Sequence, residues 1–301
     1  MNNLPRIPAT LVQLRSFEAV ARLGGVVRAA ESLHIAQPTL STQLRELSAS
    51  LGMTLYEPRG RGLAITAEGE LLLAATRDLW ARWQRLGEDL AALRGLDAGR
   101  LQVAAVTTAE YFLPELIGRF AQAHPGVVID FVVENRDAVV GRLKRAEVEL
   151  AVMMMPPTDL PLARWPFLEN PLVVVAPAGH PLTRRRRLSL AQVVREPLLA
   201  REAGSGTRRV ADMFLGQRGV AWTPRMALGS NEAIKHAVAA GLGLAILSRH
   251  TLGADPAAAG LAELKVPGFP LRRMWHLVWR EDRRLSRPAQ ALLNDLRGAA
   301  T

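Results

Sequence analysis

The stretch His34-Ile-Ala-Gln37-Pro38-Thr39-Leu40-Ser41-Thr42-Gln-Leu44-Arg45-Glu-Leu47 reads as a turn that opens a helix with two unlike faces. Proline suits the first helical position, where its missing N–H leaves no bond unmade. Leu40, Leu44, Leu47 and Leu51 recur at i, i+4, i+7 and i+11, which is the stripe of a helix buried on one side. Gln37, Thr39, Ser41, Thr42 and Arg45 gather short or planar hydrogen-bonding side chains near the helix start on the other side. Such a first turn fits a DNA major groove, where base edges present donors and acceptors.

The flanking sequence supplies the rest of a small domain. Upstream, Leu11, Leu14, Phe17 and Ala21 recur at helical spacing behind Thr10, a capping residue, and Gly24-Gly25 ends that helix. Val27–Leu33 makes a short second helix, in which Ala29 and Ala30 allow close approach of a neighbour. Downstream, Tyr56–Ile65 sets Arg59 and Arg61 among glycines on a hairpin-like loop, a wing able to reach phosphate or a minor groove. A three-helix bundle with a polar face is by itself an ordinary scaffold. The basic wing tips the reading toward DNA.

After Thr66 a long helix begins with Glu68 and Glu70 in its first turn, where carboxylates are favoured. Leu72, Thr76, Leu79, Trp83, Leu86, Leu90 and Leu93 alternate steps of four and three, the spacing of a coiled-coil seam. Three heptads are also short enough for a helix packed on its own domain. Dimerisation is the favoured reading, because two winged domains joined this way bind two half-sites with matching symmetry.

Beyond the glycine-containing hinge Gly95–Gly99 the pattern becomes α/β. Strand-like runs at Leu101–Val106, Val127–Val133, Glu149–Met154, Leu172–Ala176 and Gly243–Leu247 alternate with helical ones at Leu113–Ala123, Asp137–Arg145, Gly206–Gln217 and Asn231–Ala240. Ligands in such sheets sit beyond the carboxyl ends of strands, often where helix starts aim N–H groups at an anion. Three loops qualify: Val106-Thr107-Thr108, Glu202-Ala-Gly-Ser205-Gly206-Thr207 and Gly229-Ser230-Asn231-Glu232. Their hydroxyl and N–H groups suit a carboxylate or phosphate. The competing reading of each Ser, Thr or Asn is a simple helix cap.

Composition excludes several classes. The 301 residues are 49% hydrophobic and 22% charged, a globular profile for two or three domains, and no apolar run approaches the roughly 20 residues that span a bilayer. The first twenty residues lack signal-peptide character, so a cytoplasmic protein is expected. Zero cysteines exclude thiol chemistry, and six scattered histidines offer no metal-ligand spacing. The net charge of +10 says little, since residues 1–99 hold 11 Arg against 10 acidic residues and the excess lies downstream. A doubly wound enzyme is disfavoured: there is no GxGxxG or GxSxG, and Gly204-Ser-Gly-Thr207 lacks a P-loop lysine. No catalytic residue, resident cofactor or metal is assigned. The missing signal peptide argues against an exported solute-binding protein. Arg184–Arg187 reads as a solvated loop, Met153–Met155 as core filling and His236 as a packed or capped histidine.

The run LxxFxxVAxxGG…AAExLHIAQPTLSxQLxEL…LGMxLYE…LAITAEG, from Leu14 to Gly69, resembles the winged helix-turn-helix of LysR-type transcriptional regulators almost position by position. That resemblance implies DNA contact by Gln37, Pro38, Thr39, Ser41 and Thr42, and makes Arg61 the wing arginine. Two departures stand out: Val26-Val27 replaces the family's Ser-Phe, and Pro58 stands where an arginine is common, leaving Arg59 to supply a phosphate contact. The family fold implies a winged domain at 1–66, a linker helix at 67–95 and a sensor at 96–301. The sensor is similar to a two-subdomain periplasmic binding protein of type 2, with subdomain I at 100–170 and 271–301 and subdomain II at 171–270.

Within the family, TTAEYFLPEL, HPGVVIDFVVENRD, ENPLVVVAPAGHPL, GSGTR and GSNEAIKHAVAAGLGLAILSRHT resemble the regulators of carbon-fixation (RuBisCO) operons. The implied effector is an anionic metabolite, phosphorylated or carboxylate, and a regulator of another operon with a different organic acid is the alternative. On that template Thr107, Thr108, Asn135, Met155, Glu202, Ser205, Gly206, Thr207, Ser230 and Asn231 are the effector candidates. Met154-Met155 stands where that branch has Gly-Arg, so the cleft is expected to lose a positive group. The implied partners are double-stranded operator DNA, further copies of the chain as dimer or tetramer, and RNA polymerase, with no membrane.

Overall fold

The structure is a computed structural model that describes residues 8–59, 62–93 and 99–298; the side chains of residues 58, 59, 62, 84, 85, 88, 89 and 91–93 lie outside the description. The chain divides into two compact units, Met1–Leu90 and Ala91–Thr301.

In the first unit, α1 (Leu11–Leu23) starts at a reciprocal capping box: Gln13 N–H donates to Thr10 Oγ1 at 3.2 Å and Thr10 N–H to Gln13 Oε1 at 3.0 Å. It ends at Gly24, whose φ of 68° a side chain would strain. Helix α2 (Val26–Leu33) buries Ala29 and Ala30, and α3 (Gln37–Leu51) buries Leu40, Leu44 and Leu47 against Phe17 and Val20. Strands β1 (Tyr56–Arg59) and β2 (Gly62–Ile65) form an antiparallel hairpin with Tyr56 opposite Ile65.

Helix α4 (Ala67–Leu93) is capped by Thr66, whose Oγ1 accepts from Gly69 N–H at 3.0 Å and donates to the Thr54 carbonyl at 2.7 Å. At Gly69 the helix lies so close to the hairpin base that a Cβ would fall 2.1 Å from the Leu55 carbonyl oxygen and 2.4 Å from Ile65 Cγ2. Leu73 and Thr76 are buried in this unit, and Leu72 packs partly on its core. The expected seam therefore begins later than its heptad: the first turns of α4 serve the winged domain, while Trp83, Leu86 and Leu90 remain 58%, 48% and 51% exposed along one face. The side chain of Leu93 and the hinge residues 95–98 lie outside the described residues.

The second unit is one sheet flanked by helices. Its chain order is β3 (Gly99–Val106), α5 (Leu113–Ala123), β4 (Val127–Glu134), α6 (Arg136–Lys144), β5 (Leu150–Met153), β6 (Leu162–Pro177), α7 (Leu190–Val193), β7 (Leu198–Arg201), α8 (Gly206–Gly216), β8 (Met226–Leu228), α9 (Asn231–Ala239), β9 (Leu244–Ser248), β10 (Leu261–Leu264), β11 (Leu271–Arg280) and α10 (Arg287–Gly298). The strands run β4-β3-β5-β11-β6-β9-β7-β8, with β10 also paired to β6. Parallel strands β4, β3 and β5 make one lobe and β9, β7 and β8 the other.

The antiparallel strand β6 serves both lobes, pairing with β11 through its first eleven residues and with β9 and β10 through its last six. The sequence marks only its last part as strand, because Pro166 and Pro171 interrupt the pattern. Proline is tolerated here at a bulge: Trp275 faces Leu168 and His276 faces Pro166, which leaves Phe167 as the extra residue. Among the described residues no helix is long and apolar enough to cross a membrane.

Candidate nucleic-acid interface and effector cleft

Helix α3 presents Gln37, Pro38, Thr39, Ser41 and Arg45 exposed, with Thr42 half-buried. No hydrogen bond within the chain engages the side chains of Gln37, Thr39, Ser41 or Thr42 among the described residues. The helix starts at Ala36 without a side-chain cap, so its first N–H groups are also open to an acceptor. Gln43 differs: its Oε1 accepts from Ser16 Oγ at 2.5 Å and ties α3 to α1. Burial pushes the Tyr56 hydroxyl up, against the opposing influence of Ser48 and Arg45. Arg61 and the side chain of Arg59 lie outside the described residues.

In the second unit the three expected loops converge. Thr107, Thr108, Met155, Ser205, Gly206 and Thr207 line one small cavity, together with Arg136, Met154 and Trp275. Thr108, Ser205 and Thr207 are each 4% exposed. Glu202 and Asn231 join through Arg201, a cation with a fully buried side chain. Arg201 donates to Asn231 Oδ1 at 2.6 Å, Thr107 Oγ1 at 2.8 Å, both Glu202 oxygens at 2.9 and 3.0 Å, and the Gly229 carbonyl at 3.3 Å. Thr107 belongs to the first lobe and the other partners to the second, so this guanidinium bridges the cleft.

A second bridge lies nearby. Tyr111 donates its hydroxyl to Glu232 Oε1 at 2.6 Å, Lys235 Nζ reaches the same oxygen at 2.7 Å, and Lys235 also donates to the Thr251 carbonyl at 2.8 Å. Burial, reinforced by the Glu232 carboxylate, pushes the Tyr111 hydroxyl far above its ordinary range. Burial works against ionisation of Glu232, but hydrogen bonds from Lys235 and Tyr111 still hold it below the usual value.

Four readings need adjustment. The cleft keeps a positive group despite Met154-Met155, because Arg136 at the start of α6 lines the cavity and donates Nε to the Met155 carbonyl at 2.7 Å. Asn135 Oδ1 accepts from Ala138 N–H at 2.9 Å and caps α6. Ser230 Oγ accepts from Ala233 N–H at 3.3 Å and caps α9; neither residue lines the cavity. His236 is exposed on α9, since the buried face of that helix holds Asn231, Ile234 and Val238. Arg136 and Arg201 escaped notice as site residues. The available signal was an arginine closing the apolar strand Leu198-Leu-Ala and another opening a helix beside a candidate asparagine.

A winged three-helix unit with an open polar helix face, and a two-lobed unit whose cleft gathers hydroxyls, helix starts and an arginine, together define a ligand-responsive DNA-binding regulator. The chain belongs to the LysR family: the bacterial regulatory helix-turn-helix protein family, lysR type, matches residues 11–70, and the LysR substrate binding domain matches residues 94–301. It is 41% identical over 292 residues to the RuBisCO operon transcriptional regulator of Acidithiobacillus ferrooxidans, covering 97% of this chain and 94% of that one. It is 40% identical over 288 residues to the HTH-type transcriptional activator CmpR of Synechocystis sp., covering 96% and 95%. The CcmR regulatory domain of Synechocystis PCC6803, solved in complex with 2-PG, is 37% identical with a TM-score of 0.65, covering 67% of this chain and 97% of that one. These relatives are named regulators. The chain is a DNA-binding transcriptional regulator with a sensor for a small-molecule effector.

Proposed function

We propose that this regulator controls carbon-fixation or inorganic-carbon genes in the cytoplasm, under the control of a small phosphorylated acid. It reads its operator through the start of α3 and the hairpin. Copies pair along the exposed Trp83, Leu86 and Leu90 face of α4, as a dimer or a tetramer of two such pairs.

The observation that carries the effector class is the cavity where Arg136 and the start of α8 meet the hydroxyls of Thr107, Thr108, Ser205 and Thr207. Arginine and helix N–H groups both favour an oxyanion. Similarity to regulators of RuBisCO operons and to a domain solved with 2-PG supports the same reading.

The test combines calorimetry with 2-phosphoglycolate and footprinting on the promoters of the host's carbon-fixation genes. Saturable binding and an effector-altered footprint are expected. Arg136→Met is expected to abolish the effector response and keep the footprint. No binding overturns the effector class, and no protected promoter overturns the gene target.

A further inference from the structure

The indole of Trp275 is a buried donor without an acceptor among the described residues, and it sits at the effector cavity. Trp275 is 1% exposed, lines that cavity on β11, and its Nε1 has no hydrogen-bond partner among the described residues. The large majority of buried side-chain polar atoms in proteins are paired, so an unpaired one at a cavity calls for an explanation. Trp222 shows the ordinary solution in the same unit, donating its Nε1 to Asp212 Oδ1 at 3.0 Å.

The local backbone accounts for the position. The register shift opposite Phe167 lies between Trp275 and His276, and bulges re-aim the side chains beside them. Phe112 packs on the Trp275 ring with centroids 5.3 Å apart, which limits how far the indole can turn to find another acceptor. On the same cavity Arg136 spends Nε on Met155 and Nη1 on Asp137, at 3.0 Å, leaving Nη2 without an acceptor among the described residues.

We propose that the Trp275 indole N–H is a recognition donor for the effector, taking one oxygen of the anion that Arg136 and the start of α8 hold. This rests on the reading of the cleft as an anion site. Trp275 thereby makes acceptor placement, and not charge alone, a condition of binding: an anion without an oxygen at that point leaves the indole unpaired.

The experiment titrates the full chain and Trp275→Phe with 2-phosphoglycolate by calorimetry. Phenylalanine keeps an aromatic ring and removes the N–H, and a lost bond to a charged acceptor weakens binding roughly tenfold to a hundredfold. A second measurement needs no variant: among the six indole N–H signals of the ¹⁵N-tryptophan-labelled wild type, one is expected to move strongly downfield on saturation with 2-phosphoglycolate. Equal affinity of wild type and Trp275→Phe, or six unmoved indole signals at saturation, overturns the proposal while leaving the anion cleft standing. Absence of binding to wild type overturns both.

Discussion

Glu202→Gln is expected to destabilise the sensor more than Arg201→Met, although it is the smaller chemical change. The Arg201 side chain is fully buried, and Glu202 is 25% exposed and supplies its only carboxylate among the described residues. Removing the arginine leaves a carboxylate that can still reach water, with Thr107, Asn231 and Gly229 losing one donor; about 1–3 kcal/mol follows. Removing the carboxylate charge leaves a guanidinium that water cannot reach. Breaking a buried pair in that way costs about 3–5 kcal/mol. With a urea dependence of about 3 kcal/mol per molar, the sensor midpoint should fall by about 1–1.7 M.

The assay is urea unfolding of the full chain followed by tryptophan fluorescence, which favours the sensor because Trp165, Trp222, Trp275 and Trp279 lie there and only Trp80 and Trp83 lie before it. The double variant should cost less than the sum of the single ones, since neither charge is then left alone. A Glu202→Gln midpoint within experimental error of wild type, or strict additivity, would refute the claim that the buried Arg201 guanidinium depends on this carboxylate.

Three further outcomes test the remaining features. Ser41→Ala should weaken operator binding by about 1–3 kcal/mol in a footprint titration, and an unchanged footprint would remove it from the interface. Gly69→Ala should destabilise the winged unit by about 1–3 kcal/mol or more, because the added methyl meets the Leu55 carbonyl; an unaltered melting transition would show that α4 can shift away. Trp83→Asp should dissociate dimers in sedimentation experiments, and a dimer that survives dilution would rule out the exposed α4 face as the seam.

Much of the first unit can be read from neighbours in sequence. Thr10 and Gln13 form their box three residues apart, and the spacing of Leu40, Leu44 and Leu47 determines which face of α3 is buried. These are local effects, decided by helical geometry before any long-range contact forms. The heptad on α4 was legible as a pattern but not as a destination. Thr76 fits the seam by spacing and is buried in its own unit by packing.

In the sensor the sequence determined the α/β alternation and the three polar loops, because helix starts and turn residues carry short-range signals. It did not determine which charges face those loops. Arg201 meets Thr107 across 94 positions and Asn231 across 30, and Arg136 reaches Met155 across 19, through strand order that no local period encodes. The unpaired indole of Trp275 likewise depends on a bulge in β6 and on a ring from the segment after β3. Tertiary structure decided these because burial fixes the free energy of a charge or an N–H, and burial is a property of everything packed around it.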